Sequence, residues 1–141
     1  MPVGIVDELP VSSEEAGSLW RAVCEARGFN DDQINVRVVD EEESKGLNKK
    51  YRGKEKPTNV LTFSYSGEHD IALCLEVAER EAAEIKMEVR DYVAWLLAHG
   101  FLHATGMDHE RGEDEREETR RLEKKILEEC GFYSVSPWDR M

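Results

Sequence analysis

Three of the chain's four histidines stand in a single window, His99-Gly100-Phe101-Leu102-His103-Ala104-Thr105-Gly106-Met107-Asp108-His109, in the order H-x-x-x-H-x-x-G-x-x-H. If residues 94–104 are helical, His99 and His103 lie one turn apart on one face, as in the two-histidine half of zinc-hydrolase motifs. Gly106 lets the chain turn, because glycine reaches positive φ without steric cost, and His109 can then return as a third ligand. Three imidazoles with no nearby thiolate describe an open coordination sphere of the catalytic kind, since structural zinc sites are usually closed and cysteine-rich. The competing reading makes His99 and His103 ordinary helix histidines and His109 a turn residue. Zinc is the first expectation, although nickel, cobalt and copper also suit imidazole.

The same stretch constrains the fold. At 100° per residue, Tyr92, Leu96, His99 and His103 fall within an arc of about 60°, so the ligand pair shares a helix face with apolar groups. Ser12-Ser13-Glu14-Glu15 has the form of a capping box, followed by an apolar stripe at Leu19, Val23 and Ala26 and a stop at Gly28. Ile34, Val36 and Val38 alternate with polar residues as in a half-buried strand, with residues 3–6 as its neighbour. Residues 40–50 read as a short helix, 58–65 as a strand, 67–69 as a turn, and 71–75 as a second strand paired with the first. Residues 77–85 and 114–130 read as helices. The charge-rich face of the last one reads as solvated surface beside a stripe of Leu122, Ile126 and Cys130.

A length of 141 residues suggests one domain spanning 1–141, able to bury roughly two-thirds of its unfolded surface without disulfides. Three widely spaced cysteines, Cys24, Cys74 and Cys130, fit neither a disulfide framework nor a Cys-x-x-Cys metal site. They are expected to be buried thiols in a reducing compartment. Residues 1–8 carry no basic leader followed by an apolar core. No stretch approaches the ~18 apolar residues of a membrane span, so the expected location is the cytoplasm and no membrane partner is expected.

A net charge of −12 argues against a protein that coats nucleic acid non-specifically. The segment 45–56 is a local exception, with Lys45, Lys49, Lys50, Arg52, Lys54 and Lys56 against one acid, Glu55. It reads either as a solvated loop balancing Glu41, Glu42 and Glu43, or as a patch for an anionic substrate beside the histidines. Arg52 can give phosphate a planar two-pronged contact or can form an ion pair with Asp40 or Glu43.

The window 99–109 is similar to the signature H-G-x-L-H-L-x-G-Y-D-H of the YbeY family of bacterial metal-dependent endoribonucleases, matching at His99, Gly100, Leu102, His103, Gly106, Asp108 and His109. Residues 47–63, Leu-Asn-Lys-Lys-Tyr-Arg-Gly-Lys-Glu-Lys-Pro-Thr-Asn-Val-Leu-Thr-Phe, resemble that family's L-N-x-x-[YFW]-R-x-K-x-x-x-T-[DN]-V-L-[ST]-F segment. Ala104, Met107 and His69 depart from the pattern, which commonly has leucine, tyrosine and glycine there; none of the three is a proposed ligand. The resemblance implies an α+β fold, with a small, mostly parallel four-stranded sheet packed against about five helices. It implies one zinc ion held by His99, His103 and His109, with Arg52 and His103 carrying catalysis. It further implies endonucleolytic cleavage of single-stranded ribosomal RNA at the 3′ end of the small-subunit (16S) RNA, and a part in ribosome quality control. The implied partners are the small ribosomal subunit and a ribosomal protein or assembly GTPase, which would also deliver RNA to so acidic a chain.

Zinc peptidases with this histidine spacing carry glutamate after the first histidine as general base. Gly100 occupies that position and disfavours a peptidase. Asp108 can orient a ligand histidine or cap the turn, and the proton acceptor stays unassigned, with a substrate phosphate oxygen and RNA 2′-hydroxyl chemistry both open. Residues 58–63 are either a strand along the cleft or an interior strand, and Tyr51, Phe63 and Tyr65 are the candidates for base stacking. Two other functions compete. One is a metal-dependent hydrolase of a peptide or small phosphoester, and the other is a ribosome-assembly factor with a mainly structural metal.

Overall fold

The computed structural model describes residues 3–5, 9–30, 33–65, 68–108, 111–132 and 136–139. The elements run β1 (Val3–Ile5), α1 (Ser13–Arg27), β2 (Ile34–Val39), α2 (Glu41–Arg52), β3 (Val60–Tyr65), β4 (Glu68–Cys74), α3 (Leu75–Glu84), α4 (Val89–Ala104) and α5 (Glu113–Glu129), with a 3-10 turn at Pro137–Asp139. The fold is α+β. Its sheet has the order β1-β2-β4-β3, with β1/β2 and β2/β4 parallel and β4/β3 antiparallel. β3 is therefore an edge strand.

Local chemistry starts the first two helices. Ser12 accepts from the Glu15 backbone N–H while the Glu15 carboxylate accepts from the Ser12 N–H, closing the capping box, and Gly28 ends α1 at φ 68°. Asp40 caps α2 by accepting from the Glu43 N–H at 2.8 Å.

Helix α4 has no side-chain cap and is held by burial. Residues on every side of it are buried, among them Val93, Leu96, Leu97, Ala98, Phe101 and Leu102, so it is the central helix rather than an amphipathic one with a single apolar stripe. The largest core cluster joins α4 to Leu19, Trp20 and Val23 of α1, to Ile34, Val36, Ile71 and Leu73 on one sheet face, and to Leu122 and Ile126 of α5. A smaller cluster of Val39, Leu61, Ala72, Cys74 and Val77 covers the opposite face, with Leu47 and Phe63 against it.

Two expectations are corrected here. Glu68 and His69 open β4 rather than forming a turn, and Leu75 begins α3; Ser66 and Gly67 lie outside the described residues. The strand forms this far back because the β3/β4 pairing runs out to Tyr65 opposite Glu68. His69 consequently points inward. It is 8% exposed, packs edge-on to Trp20 at 5.8 Å between ring centroids, and places Nδ1 2.8 Å from the Ser64 hydroxyl. Among the described residues, no helix is long and apolar enough to cross a membrane.

Candidate active site

A cleft of about 730 Å³ opens between the edge strand β3 and the C-terminal half of α4. Both described histidines of the motif line it. His99 and His103 lie on one face of α4 with ring centroids 5.0 Å apart and planes inclined at 56°. Two imidazoles that share one ion at 2.0–2.1 Å per nitrogen need their rings about this close. His99 is buried and His103 half-buried.

Gly100 brings the helix close to the sheet. A Cβ at this position would stand 3.1 Å from Ile71 Cδ1 and 3.2 Å from Thr62 Oγ1. The Thr62 hydroxyl donates to the Gly100 carbonyl at 3.2 Å, tying strand to helix. The position that is glutamate in zinc peptidases is thus filled by the sheet itself.

After α4 the Thr105 hydroxyl donates to the Leu102 carbonyl at 2.7 Å, and Arg27 reaches across from α1 to donate to Thr105 Oγ1 at 3.1 Å. Gly106 has φ 95°, so the sharp turn does use glycine's conformational freedom. Met107 returns its N–H to the Leu102 carbonyl at 3.2 Å, and the Asp108 N–H donates to the Glu115 carboxylate at 2.9 Å. Asp108 lines the cleft. His109, the third expected ligand, lies outside the described residues. Among the described residues, no group of three His, Cys, Asp or Glu is arranged to hold a metal ion.

Arg52 is the last residue of α2 and lines the cleft beside Tyr51. Of the acids offered to it as structural partners, Glu43 pairs with Arg37 at 2.6 Å and Asp40 caps α2. The lysines of segment 45–56 do not line the cleft. Lys49 pairs with Glu55 at 3.2 Å, and Lys50 lies 5.1 Å from the centre of the Tyr51 ring. Strand β3 runs along the cleft as an edge, not an interior strand. Of the aromatic candidates, Tyr51 and Tyr65 are exposed and Tyr51 meets Phe63 edge-on at 4.8 Å.

Sequence reasoning missed Glu123, Trp95 and Trp138. Glu123 stands in the last helix, whose charge-rich face reads as solvated surface, yet it is 1% exposed. Its Oε2 lies 2.5 Å from His99 Nδ1, and its Oε1 accepts the indole N–H of Trp95 at 2.9 Å and of Trp138 at 2.6 Å. The signal lay in its register. Glu123 follows Leu122 and precedes Ile126 and Leu127 by three and four residues, so it sits on the buried stripe, where a carboxylate needs partners. Because Nδ1 of His99 is occupied by Glu123, any ligand role falls to Nε2, the carboxylate–histidine arrangement common at zinc centres.

The sequence profile described as "Endoribonuclease YbeY" matches residues 7–131. The chain belongs to the YbeY endoribonuclease family. It is 47% identical over 106 residues to an Endoribonuclease YbeY of Delftia acidovorans, covering 72% of this chain and 70% of the relative. It is 47% identical over 107 residues to that of a Janthinobacterium strain, covering 71% and 70%. A protein of Thermotoga maritima known from its solution structure superposes with a TM-score of 0.60 at 26% identity, covering 96% of this chain and 97% of that one.

Proposed function

We propose that this chain is a zinc-dependent, single-strand endoribonuclease that matures the 3′ end of 16S ribosomal RNA in the cytoplasm and takes part in ribosome quality control. The observation that carries the reading is the placing of His99, His103 and Arg52 around one cleft in a chain of this family. Imidazole donors, an acidic partner behind His99 and a cleft open to solvent suit a catalytic transition-metal ion. The proposed ligands are His99, His103 and His109. A bound zinc ion would supply a water of lowered pKa and a Lewis acid for a phosphoryl oxygen.

The chain's own residues do the rest. Arg52 approaches from the α2 side and offers a phosphodiester two parallel N–H donors, holding the phosphate and offsetting charge that grows on its oxygens. Gly100 keeps β3 close to α4, so that strand and helix form the two walls between which a single strand lies. Tyr51 and Tyr65 present exposed rings at the rim, on which unpaired bases stack without strong sequence preference. With the segment's lysines outside the lining of the cleft, the net charge of −12 repels free RNA. Delivery by the small ribosomal subunit, with a ribosomal protein or assembly GTPase, answers that repulsion.

An Arg52→Ala variant tests the reading against a ribosome-assembly factor whose metal is structural. Loss of RNA cleavage with full zinc content supports catalysis, and unchanged cleavage removes Arg52 from the mechanism.

A further inference from the structure

Glu123 is a buried carboxylate reached by three N–H-bearing rings from two parts of the chain, helix α4 and the 3-10 turn. Trp95 lies one turn before His99 on α4, Trp138 comes from the 3-10 turn near the C-terminus, and His99 itself completes the set. The two indoles meet edge-on at 5.7 Å and 85°. Trp138 is also covered by the Arg120 guanidinium, 4.5 Å from its ring centre.

An indole nitrogen only donates, so Oε1 takes two donors and Glu123 is set up as an acceptor. As a carboxylate, Glu123 has no proton to give from Oε2, so the group facing Oε2 must also donate. This requires the proton of the neutral His99 ring to sit on Nδ1, which puts the lone pair on Nε2.

We infer that Glu123, held by Trp95 and Trp138, is a positioning residue that locks His99 in its metal-binding tautomer, and that the C-terminal turn is thereby part of the metal site. The inference rests on the zinc reading proposed above. It adds that occupancy of the site and docking of Trp138 favour one another, since each stabilises the same orientation of Glu123.

The test uses the full-length protein. In the metal-free wild type, the nitrogen–proton couplings of the His99 ring, read by NMR, are expected to show the Nδ1–H tautomer. Glu123→Gln is nearly isosteric but can turn an N–H toward Nδ1. It is expected to move His99 to the Nε2–H form and weaken zinc binding about 10- to 100-fold in a chelator competition. Trp138→Phe keeps a ring but removes one donor, and is expected to weaken zinc binding about three- to tenfold. An Nε2–H tautomer in the wild type, or wild-type zinc affinity in Glu123→Gln, overturns the inference. If Glu123→Gln does not fold, the wild-type tautomer and the Trp138→Phe affinity decide it, and wild-type affinity in the latter counts against it. Failure of the wild type to bind zinc at all would count against the metal reading alone, leaving the tautomer to judge Glu123.

Discussion

The Thr62 hydroxyl donates to the Gly100 carbonyl across 3.2 Å, so the edge strand of the sheet and the histidine-bearing helix are bonded at the floor of the cleft. Introducing Gly100→Glu would restore the peptidase-like pattern in sequence but place a side chain against Ile71 and Thr62. Overpacking and a carboxylate set against the sheet together are expected to cost roughly 3 kcal/mol or more. Urea unfolding of the variant measures this, and no peptidase activity is expected to appear.

Arg52 is exposed at the end of α2, so its replacement should change stability by no more than about 0.5 kcal/mol. Activity is expected to behave differently. Arg52→Ala should reduce kcat/KM for RNA by about 10²-fold or more, and Arg52→Lys should recover only part of that, because an ammonium cannot make the two parallel bonds of a guanidinium. Thermal unfolding and single-turnover cleavage on the same preparations separate the two effects.

The capping box of α1 gives a check on the scaffold away from the cleft. Ser12→Ala removes the oxygen that accepts the Glu15 N–H and is expected to destabilise the protein by about 1 kcal/mol. RNA cleavage below the unfolding transition should be unaffected.

Tyr92 on α4 donates to the Glu81 carboxylate at 2.9 Å, and Asn59 donates to the same oxygen at 2.9 Å. Burial, and then the Glu81 charge, push the Tyr92 phenol well above its ordinary value of 10.0. The unfolded chain releases this proton near pH 10 while the folded chain retains it. Tyr92 therefore contributes a loss of stability as pH rises above about 10. Tyr92→Phe should flatten the alkaline limb of stability against pH, at a cost of about 1 kcal/mol at neutral pH for the lost hydrogen bond.

Features written in neighbouring residues were legible. Ser12 and Glu15 announce a helix start because both halves of the capping box lie within four residues, and His99 and His103 announce a shared face because they are one turn apart. The cleft-lining edge strand was legible only as one of two options, since edge or interior position depends on which strands pair. Glu123 was hidden for the same physical reason. Its partners come from 15 to 28 positions away, and a carboxylate amid many charges in α5 shows its burial only through its register with Leu122 and Ile126. His69 was misplaced because glycine and acid residues around 67–70 signal a turn, while the pairing of Tyr65 with Glu68 carries the strand through.

The most direct test of the account is cleavage of end-labelled, single-stranded ribosomal RNA by the zinc-loaded protein beside a chelated sample and a His103→Ala variant purified in parallel. Cleavage by the zinc-loaded wild type, lost in both of the others, is the predicted result. Equal cutting by all three would assign the activity to a contaminant, and no cutting by any would contradict an autonomous nuclease and put the assembly-factor reading first.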